Sequence, residues 1–255
     1  SFDGENTAQK RLTFLIQKGP FALNASKLAI FSKMPTLVTD RLILRKMLIS
    51  DYMDMYDYAS RPLTTRYLLW LPHESPKFSK KYLNYIQGQY REERFYDFAL
   101  VEKQSGKMIG TCGFTRFDLE NNSAEIGYVI NPDFWGKGLA PEALRRVMSF
   151  GFHELMLHRI TAKIMDGNLQ SMRVAEKCGM RHEATLVEGM LIKGEYRTIH
   201  EYAIWKENGK AERFLSKTQK ARADARAFSL FLFFFFFLIP IFAFPRKRIL
   251  QNQNH

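Results

Sequence analysis

The stretch DFWGKGLAPEAL, Asp133 to Leu144, sets two glycines one residue apart between an aromatic pair and a segment with helical spacing. Before it, AEIGYVI has the apolar, β-branched character of a strand. After it, PEALRRVMSFGFHEL places Leu144, Val147, Met148 and Phe152 on one face, the spacing of an amphipathic helix. A strand, a glycine-bearing connector and a helix start therefore follow one another. The first amides of a helix have no partner within it and carry partial positive charge, and glycine lets a backbone close on an anion without interference from Cβ. On the residues alone two readings of Gly136-Lys137-Gly138 stand: a turn that joins two elements, or a cradle for a phosphate. The spacing departs from the dinucleotide pattern G-x-G-x-x-G, which needs a third glycine, and from the P-loop, which needs G-K-[ST].

Working outward, LVTDRLILRKM (37–47) alternates as one strand, and SDYMDMYDYAS (50–60) predicts a helix with Ser50 as its N-cap. A second amphipathic helix is expected from about Ser79 to Glu92. FYDFALVEK, KMIGTCGFTRFD and AEIGYVI then read as three antiparallel strands joined by the polar turns QSGK and LENNS. Beyond the glycine pair and its helix, RITAKIM is a short buried strand, NLQSMRVAEKCG a helix ended by Gly179, and the remainder to Trp205 a last pair of strands. The order is β-α-α-β-β-β-α-β-α-β-β, which predicts an α+β domain on a mixed sheet.

With 255 residues, 46% of them apolar, the chain is long enough for one substantial domain with extensions at both ends. Cys112 and Cys178 are too few and too far apart for a disulfide framework or a cysteine zinc site, so no metal is implied and a reducing, cytoplasmic location is expected. The formal charge of +12 is concentrated at the ends. Residues 1–33 carry five basic and two acidic groups, 209–255 carry nine and two, and 34–208 carry 24 and 22. The central region is close to neutral, so no specific nucleic-acid binding is expected of the domain.

Four regions result. Residues 1–33 form a basic extension whose composition suits either an organelle presequence or leader sequence translated ahead of Met34. Residues 34–208 are the domain, and 209–226 a basic linker. In the apolar tail with a basic end, 227–255, AFSLFLFFFFFLIPIFAF gives 18 residues without a charge. That length fits a membrane tail anchor, while Pro240 and the phenylalanine run fit a pyrimidine-rich noncoding tract read as protein.

NPDFWGKGLAPEAL resembles the pyrophosphate-binding motif of the GNAT N-acetyltransferases, Q/R-x-x-G-x-G/A, with Trp135, Gly138 and Ala140 in the three defined places. Trp135 in place of Gln or Arg is a substitution typical of the RimJ/RimL-like branch, the ribosomal-protein N-terminal acetyltransferases. TDRLILRKM, AEIGYVINPDFWGKG, NLQSMRVAEKCGM and KGEYRTIHEYAIW match further motifs in the family's order, over about residues 36–207. The resemblance implies the GNAT acyl-CoA N-acyltransferase fold, with a central splayed mixed sheet, and transfer of acetyl from acetyl-CoA to a primary amine. A protein or peptide N-terminal α-amino group is the expected acceptor. Small amines such as antibiotics or polyamines are the alternative, and a non-catalytic acyl-CoA-binding module is the runner-up from another class.

The same resemblance assigns roles. The pantetheine arm of acetyl-CoA is expected to pair with Tyr128, Val129 and Ile130, and its pyrophosphate to meet Trp135, Gly136, Lys137, Gly138, Leu139 and Ala140. Asn168 matches a pantetheine-bonding residue, with Ser171 one turn further on. Asn168 is also a good N-cap, though the pantetheine role is the favoured reading, and Ser171 is equally a helix-surface residue. Attack of a neutral amine on a thioester needs a proton acceptor and a donor for the thioester oxygen. Glu125 matches the family's glutamate base, Glu188 is the second candidate, and the amide of Val129 or Ile130 is the expected oxygen donor. Ala175 stands where many members place the tyrosine that protonates the leaving thiolate, which leaves Ser171, a water or bulk solvent for that step. Cys178, at an inward-packed helix end, is not placed to carry an acyl group, so direct transfer in a ternary complex is expected. HELMLH (153–158) is not a zinc motif, because histidines five apart on a helix lie about 140° apart. His182 and His200 fall in the last strands, as structural histidines.

Overall fold

The computed structural model describes residues 34–91 and 96–206; the expected extension over 1–33, the linker 209–226 and the tail 227–255 lie outside the described residues. The elements are β1 (Leu37–Val38), β2 (Leu42–Arg45), α1 (Tyr52–Ala59), α2 (Pro62–Thr65), α3 (Pro76–Arg91), β3 (Tyr96–Glu102), β4 (Met108–Asp118) and β5 (Ser123–Ile130). They continue with α4 (Leu139–His153), β6 (Arg159–Met165), α5 (Leu169–Lys177), β7 (Arg181–Ile192) and β8 (Glu195–Trp205). The strands form one sheet in the order β1-β2-β3-β4-β5-β6-β8-β7. Only β5 and β6 run parallel, so the sheet is mixed, as the element order predicts.

Three local expectations are corrected. The first strand is broken into β1 and β2. The Thr39 N–H donates to the Leu42 carbonyl at 3.0 Å and the Thr39 hydroxyl accepts the Leu42 N–H at 2.9 Å, which turns the chain at Asp40-Arg41. Ser50 is not the cap of α1. Residues Ile49–Asp51 form a 3-10 turn, and the Asp51 carboxylate takes the Leu48 N–H at 2.7 Å while it pairs with Arg45. Fixed by that guanidinium, a carboxylate is a stronger acceptor than the neighbouring hydroxyl. Helix α3 starts a turn before Ser79, because Pro76 suits a first helical position, where its missing N–H costs nothing. The sequence reading also lacks the one-turn helix α2.

Strand alternation builds the two layers. Ala124, Ile126 and Ile130 of β5 and Ile160, Ala162 and Ile164 of β6 pack on one face with Leu144, Val147 and Met148 of α4 and Ala175 of α5. On the other face, Ala99 and Val129 meet Met55 and Tyr58 of α1 and Leu83 and Ile86 of α3. Phe98 of β3 and Phe150 of α4 meet edge to face, ring centroids 6.0 Å apart, a contact of about 1 kcal/mol beyond their burial.

The sheet opens in its middle. Pairing between β5 and β6 is limited to Ser123↔Arg159, Ala124↔Ile160 and Glu125↔Thr161. Past that point β5 stays with β4 as far as Gly110↔Ile130, while β6 stays with β8 as far as Met165↔Ile199. Five residues of β5, 126–130, thus have no strand partner on their β6 side. The helices α4 and α5 both start near the open end of this gap.

Candidate active site

The backbone groups that face the gap follow from alternation. Asn131 donates its N–H to the Ile109 carbonyl on β4 at 2.7 Å. The Val129 carbonyl points the same way, lying 2.0 Å from where a Cβ on Gly110 would sit. Tyr128 and Ile130, one residue out of phase, turn their main chain toward the gap. Of the three residues expected to line the edge, Val129 is therefore turned to β4. Of the two amides expected near a thioester oxygen, it is that of Ile130 that faces the opening. An unpaired strand edge of this kind takes an extended ligand that carries amide groups.

The loop between β5 and α4 closes the mouth of the gap. Asn131 caps a 3-10 turn over Pro132–Phe134, its side-chain oxygen accepting the Asp133 N–H at 3.1 Å. The Trp135 indole N–H donates to the Ile130 carbonyl at 2.8 Å, which folds the loop back on the strand end. Gly136 has φ 73° and Gly138, the N-cap of α4, φ 75°. Both are left-handed, a conformation that costs other residues about 1 kcal/mol or more. Leu139 is buried beneath the helix start, while Ala140 is half-buried and the Lys137 ammonium lies 4.6 Å from the centre of the Phe134 ring. Two left-handed glycines and a helix start turn successive amides to one side, the geometry that binds anions.

Across the gap, Asn168 is the N-cap of α5, its side-chain oxygen accepting the Ser171 N–H at 3.2 Å. The Ser171 carbonyl accepts from the Tyr128 hydroxyl at 3.3 Å, so Tyr128 reaches from β5 to α5. Burial holds that phenol well above its ordinary range. Ala175 is fully buried one turn on, and Cys178 is buried behind it, its thiol raised to about 11 by burial. A thiol so far from ionisation is a poor nucleophile.

Glu125 lies on the opposite face, at the last residue pair before the strands part. Its carboxylate is 3.3 Å from the Lys163 ammonium, which also approaches Glu201 at 3.9 Å. Glu188 is not brought into this cluster by any described contact. It sits exposed, with φ 50°, where the β7–β8 register shifts between Leu186 and Met190, and its N–H donates to the Thr198 hydroxyl at 3.3 Å. His182 and His200 share the Thr185 hydroxyl, at 3.1 and 3.0 Å, and His200 also meets Asp166 at 2.9 Å. These contacts tie β7 and β8 to the segment that follows β6. Among the described residues no group of three His, Cys, Asp or Glu side chains is arranged to hold a metal ion.

Two arginines that the sequence reading passed over grip the loop from outside. Arg61 bonds Asp133 at 2.7 Å and Asp57 at 2.6 Å, and Asp57 also takes the Asn131 side-chain N–H at 2.8 Å. Those Arg61 hydrogen bonds keep Asp133 below the usual carboxylate range. Further along the loop, Arg41 meets Lys137 and Glu142. Arg41 lies within TDRLILRKM, so a motif signal was present; its partners lie about a hundred residues away and gave none. Tyr67 lies outside the sequence motifs. It packs against Met165, Ile192 and Ile199 at the open end of β6, and Lys193 of the β7–β8 turn donates to the Thr65 carbonyl at 2.7 Å.

A mixed sheet parted between its two parallel strands, with a glycine loop and helix start at the opening, defines the class of acyl-CoA N-acyltransferases. The chain matches the acetyltransferase (GNAT) domain over residues 41–181, and it belongs to that family. It is 33% identical over 173 residues to a Bacillus licheniformis protein named as the uncharacterized N-acetyltransferase p20, a match spanning 68% of this chain and 97% of that one. It is 26% identical over 163 residues to the spermidine N(1)-acetyltransferase of Vibrio cholerae, with 64% and 91% of the two chains covered. Among solved structures, an acetyltransferase (GNAT family) from Bacillus anthracis superposes with a TM-score of 0.62 at 28% identity, over 68% of this chain and all of that one. The ribosomal-protein-S5-alanine acetyltransferase of Vibrio fischeri shares the fold, with a TM-score of 0.57 at 21% identity, over 69% of this chain and 99% of that one. The protein is an acetyl-CoA-dependent N-acetyltransferase of the GNAT type. No described helix is long and apolar enough to cross a membrane.

Proposed function

We propose that the protein acetylates the α-amino group of a protein or peptide N-terminus, by direct attack in a ternary complex, with Glu125 as the proton acceptor. One observation carries the catalytic part: β5 and β6 part immediately after Glu125↔Thr161, so the candidate base stands at the apex of the opening. The residues fit acetyl-CoA. Its pantetheine amides would meet the gap-facing main chain of Tyr128 and Ile130 and the Asn168 side chain, and its diphosphate the amides from Gly136 to Ala140. Acetyl-CoA supplies the activated acetyl thioester. Glu125 would take the ammonium proton, directly or through water, and a gap-facing amide of β5 would orient the thioester carbonyl. Ser171, in the turn where the thiol would leave, is the candidate for passing a proton to sulfur, since Ala175 has none to give.

The acceptor side supports a chain substrate. Leu69 and Leu71 after α2, and Val187 and Leu191 on the hairpin, are all more than half exposed. Such apolar walls suit a peptide better than a small polycation, which calls for carboxylates and aromatic faces. The names of the relatives allow either acceptor. The test incubates the full chain with acetyl-CoA and two panels, peptides of varied N-terminus and small amines including spermidine. Products are read by mass shift and by release of free thiol. Turnover of peptides with little or none of small amines is expected; the reverse pattern would sink the peptide reading.

A further inference from the structure

Glu142 presents a difficulty at the cradle. It lies in the first turn of α4, its N–H 3.4 Å from the Gly138 carbonyl, so a carboxylate stands within one turn of the amides offered to a diphosphate. Like charges this close weaken anion binding. Its carboxylate is, however, fully engaged from the turn between β1 and β2. Oε1 accepts the Thr39 hydroxyl at 2.6 Å and the Arg41 N–H at 2.9 Å, and Oε2 accepts the Arg41 guanidinium Nε at 2.7 Å and Nη2 at 2.6 Å. Burial works to raise the Glu142 pKa, but the Thr39 and Arg41 bonds outweigh it and leave the carboxyl below its ordinary range.

The remaining nitrogen of the Arg41 guanidinium has a second effect. Nη1 donates to the Lys137 carbonyl at 2.7 Å. In a trans peptide unit the carbonyl and the following N–H point in opposite directions. Holding the Lys137 carbonyl outward therefore aims the Gly138 N–H the other way. Without that hold, a peptide unit between two residues of which one is a left-handed glycine is free to flip and offer its oxygen instead. The Arg41 Nη2 also lies 3.6 Å from where a Cβ on Gly138 would sit, so the cation is beside the N-cap itself.

We propose that Arg41 is a positioning residue for the diphosphate of acetyl-CoA. It pins the peptide unit between Lys137 and Gly138 with the N–H facing the anion, and it neutralises the Glu142 carboxylate that would oppose that anion. The proposal rests on the reading of residues 135–140 as the pyrophosphate site.

The test measures binding of CoA and of pantetheine, which lacks the diphosphate, to the full-length wild type, to Arg41→Ala and to the double variant Arg41→Ala with Glu142→Gln. The wild type is expected to prefer CoA strongly. Arg41→Ala is expected to weaken CoA at least tenfold and pantetheine less than twofold. The double variant, which removes the uncompensated carboxylate but does not restore the pin, is expected to recover part of the loss. A general loosening of the fold would weaken both ligands and would not be repaired by a second substitution. CoA binding by Arg41→Ala within twofold of wild type, equal loss on pantetheine, or a double variant no tighter than the single one overturns the proposal and leaves the cradle intact. A wild type that binds CoA no better than pantetheine overturns the cradle reading itself, and the proposal with it. Should Arg41→Ala not fold by circular dichroism, Arg41→Lys carries the same comparison. It keeps the cation but loses the fork, and it is expected to weaken CoA several-fold and pantetheine not at all.

Discussion

The Trp135 indole N–H donates to the Ile130 carbonyl at 2.8 Å, so the first residue of the family's loop motif bonds the last residue of the strand edge. A large ring thereby sets the angle at which the loop leaves β5. Trp135→Phe keeps most of the ring and removes the bond, worth about 1 kcal/mol. The expected result is a roughly fivefold weaker CoA complex with little change in kcat, measured by calorimetry and steady-state kinetics.

Glu125 is expected to act on the chemical step alone. Glu125→Gln retains shape and hydrogen-bonding capacity but cannot take a proton at neutral pH. A loss of about 10²–10⁴ in kcat is expected, the usual span for a general base, with CoA affinity unchanged. Loss of CoA binding in parallel would instead point to a structural role for the Glu125–Lys163 pair.

Asp97 of β3 is expected to make the fold less stable as pH rises. Burial pushes its pKa from 3.8 up to about 7, although bonds from the Thr111 side chain and the Phe98 N–H work against the shift. Its Oδ1 is buried with no hydrogen-bond partner. Between these two pH values the folded protein holds a proton that the unfolded chain has released, so stability falls as pH rises from about 4 to about 7 and then levels off. Urea unfolding at pH 5 and pH 8 measures the drop, and Asp97→Asn is expected to reduce it.

Gly110 is expected to tolerate no side chain. A Cβ there would lie 2.0 Å from the Val129 carbonyl and 3.0 Å from the Ile130 Cα, both main-chain atoms of the strand that borders the gap. Gly110→Ala must displace β5 to be accommodated. A loss of about 3 kcal/mol is expected in chemical unfolding, the upper range for overpacking, together with weakened CoA binding from the shifted edge.

Legibility followed the range of the interactions involved. The strands β3 to β6 and the helices α4 and α5 depend on period-two or helical patterns within about ten residues, and the sequence states those patterns openly. The break at Thr39, the cap at Asp51 and the outward turn of Val129 depend on which of two adjacent residues finds a partner elsewhere. Composition cannot decide that choice. The Arg41–Glu142 clasp joins residues 101 positions apart, and although Arg41 stands in a motif, nothing along the chain pairs it with Glu142.

By itself, then, the sequence determined the succession of elements from β3 onward and the glycine loop at the start of α4, because local periodicity and closely spaced glycines leave few alternatives. The tertiary structure alone decided where β5 and β6 part, and that Glu125 stands at that point rather than at another place along an ordinary ladder. It also decided that Arg41 and Arg61 both converge on the loop. The physical reason is that pairing register and long-range ion pairs are set by competition among partners across the whole sheet, and that competition exists only once the chain has folded.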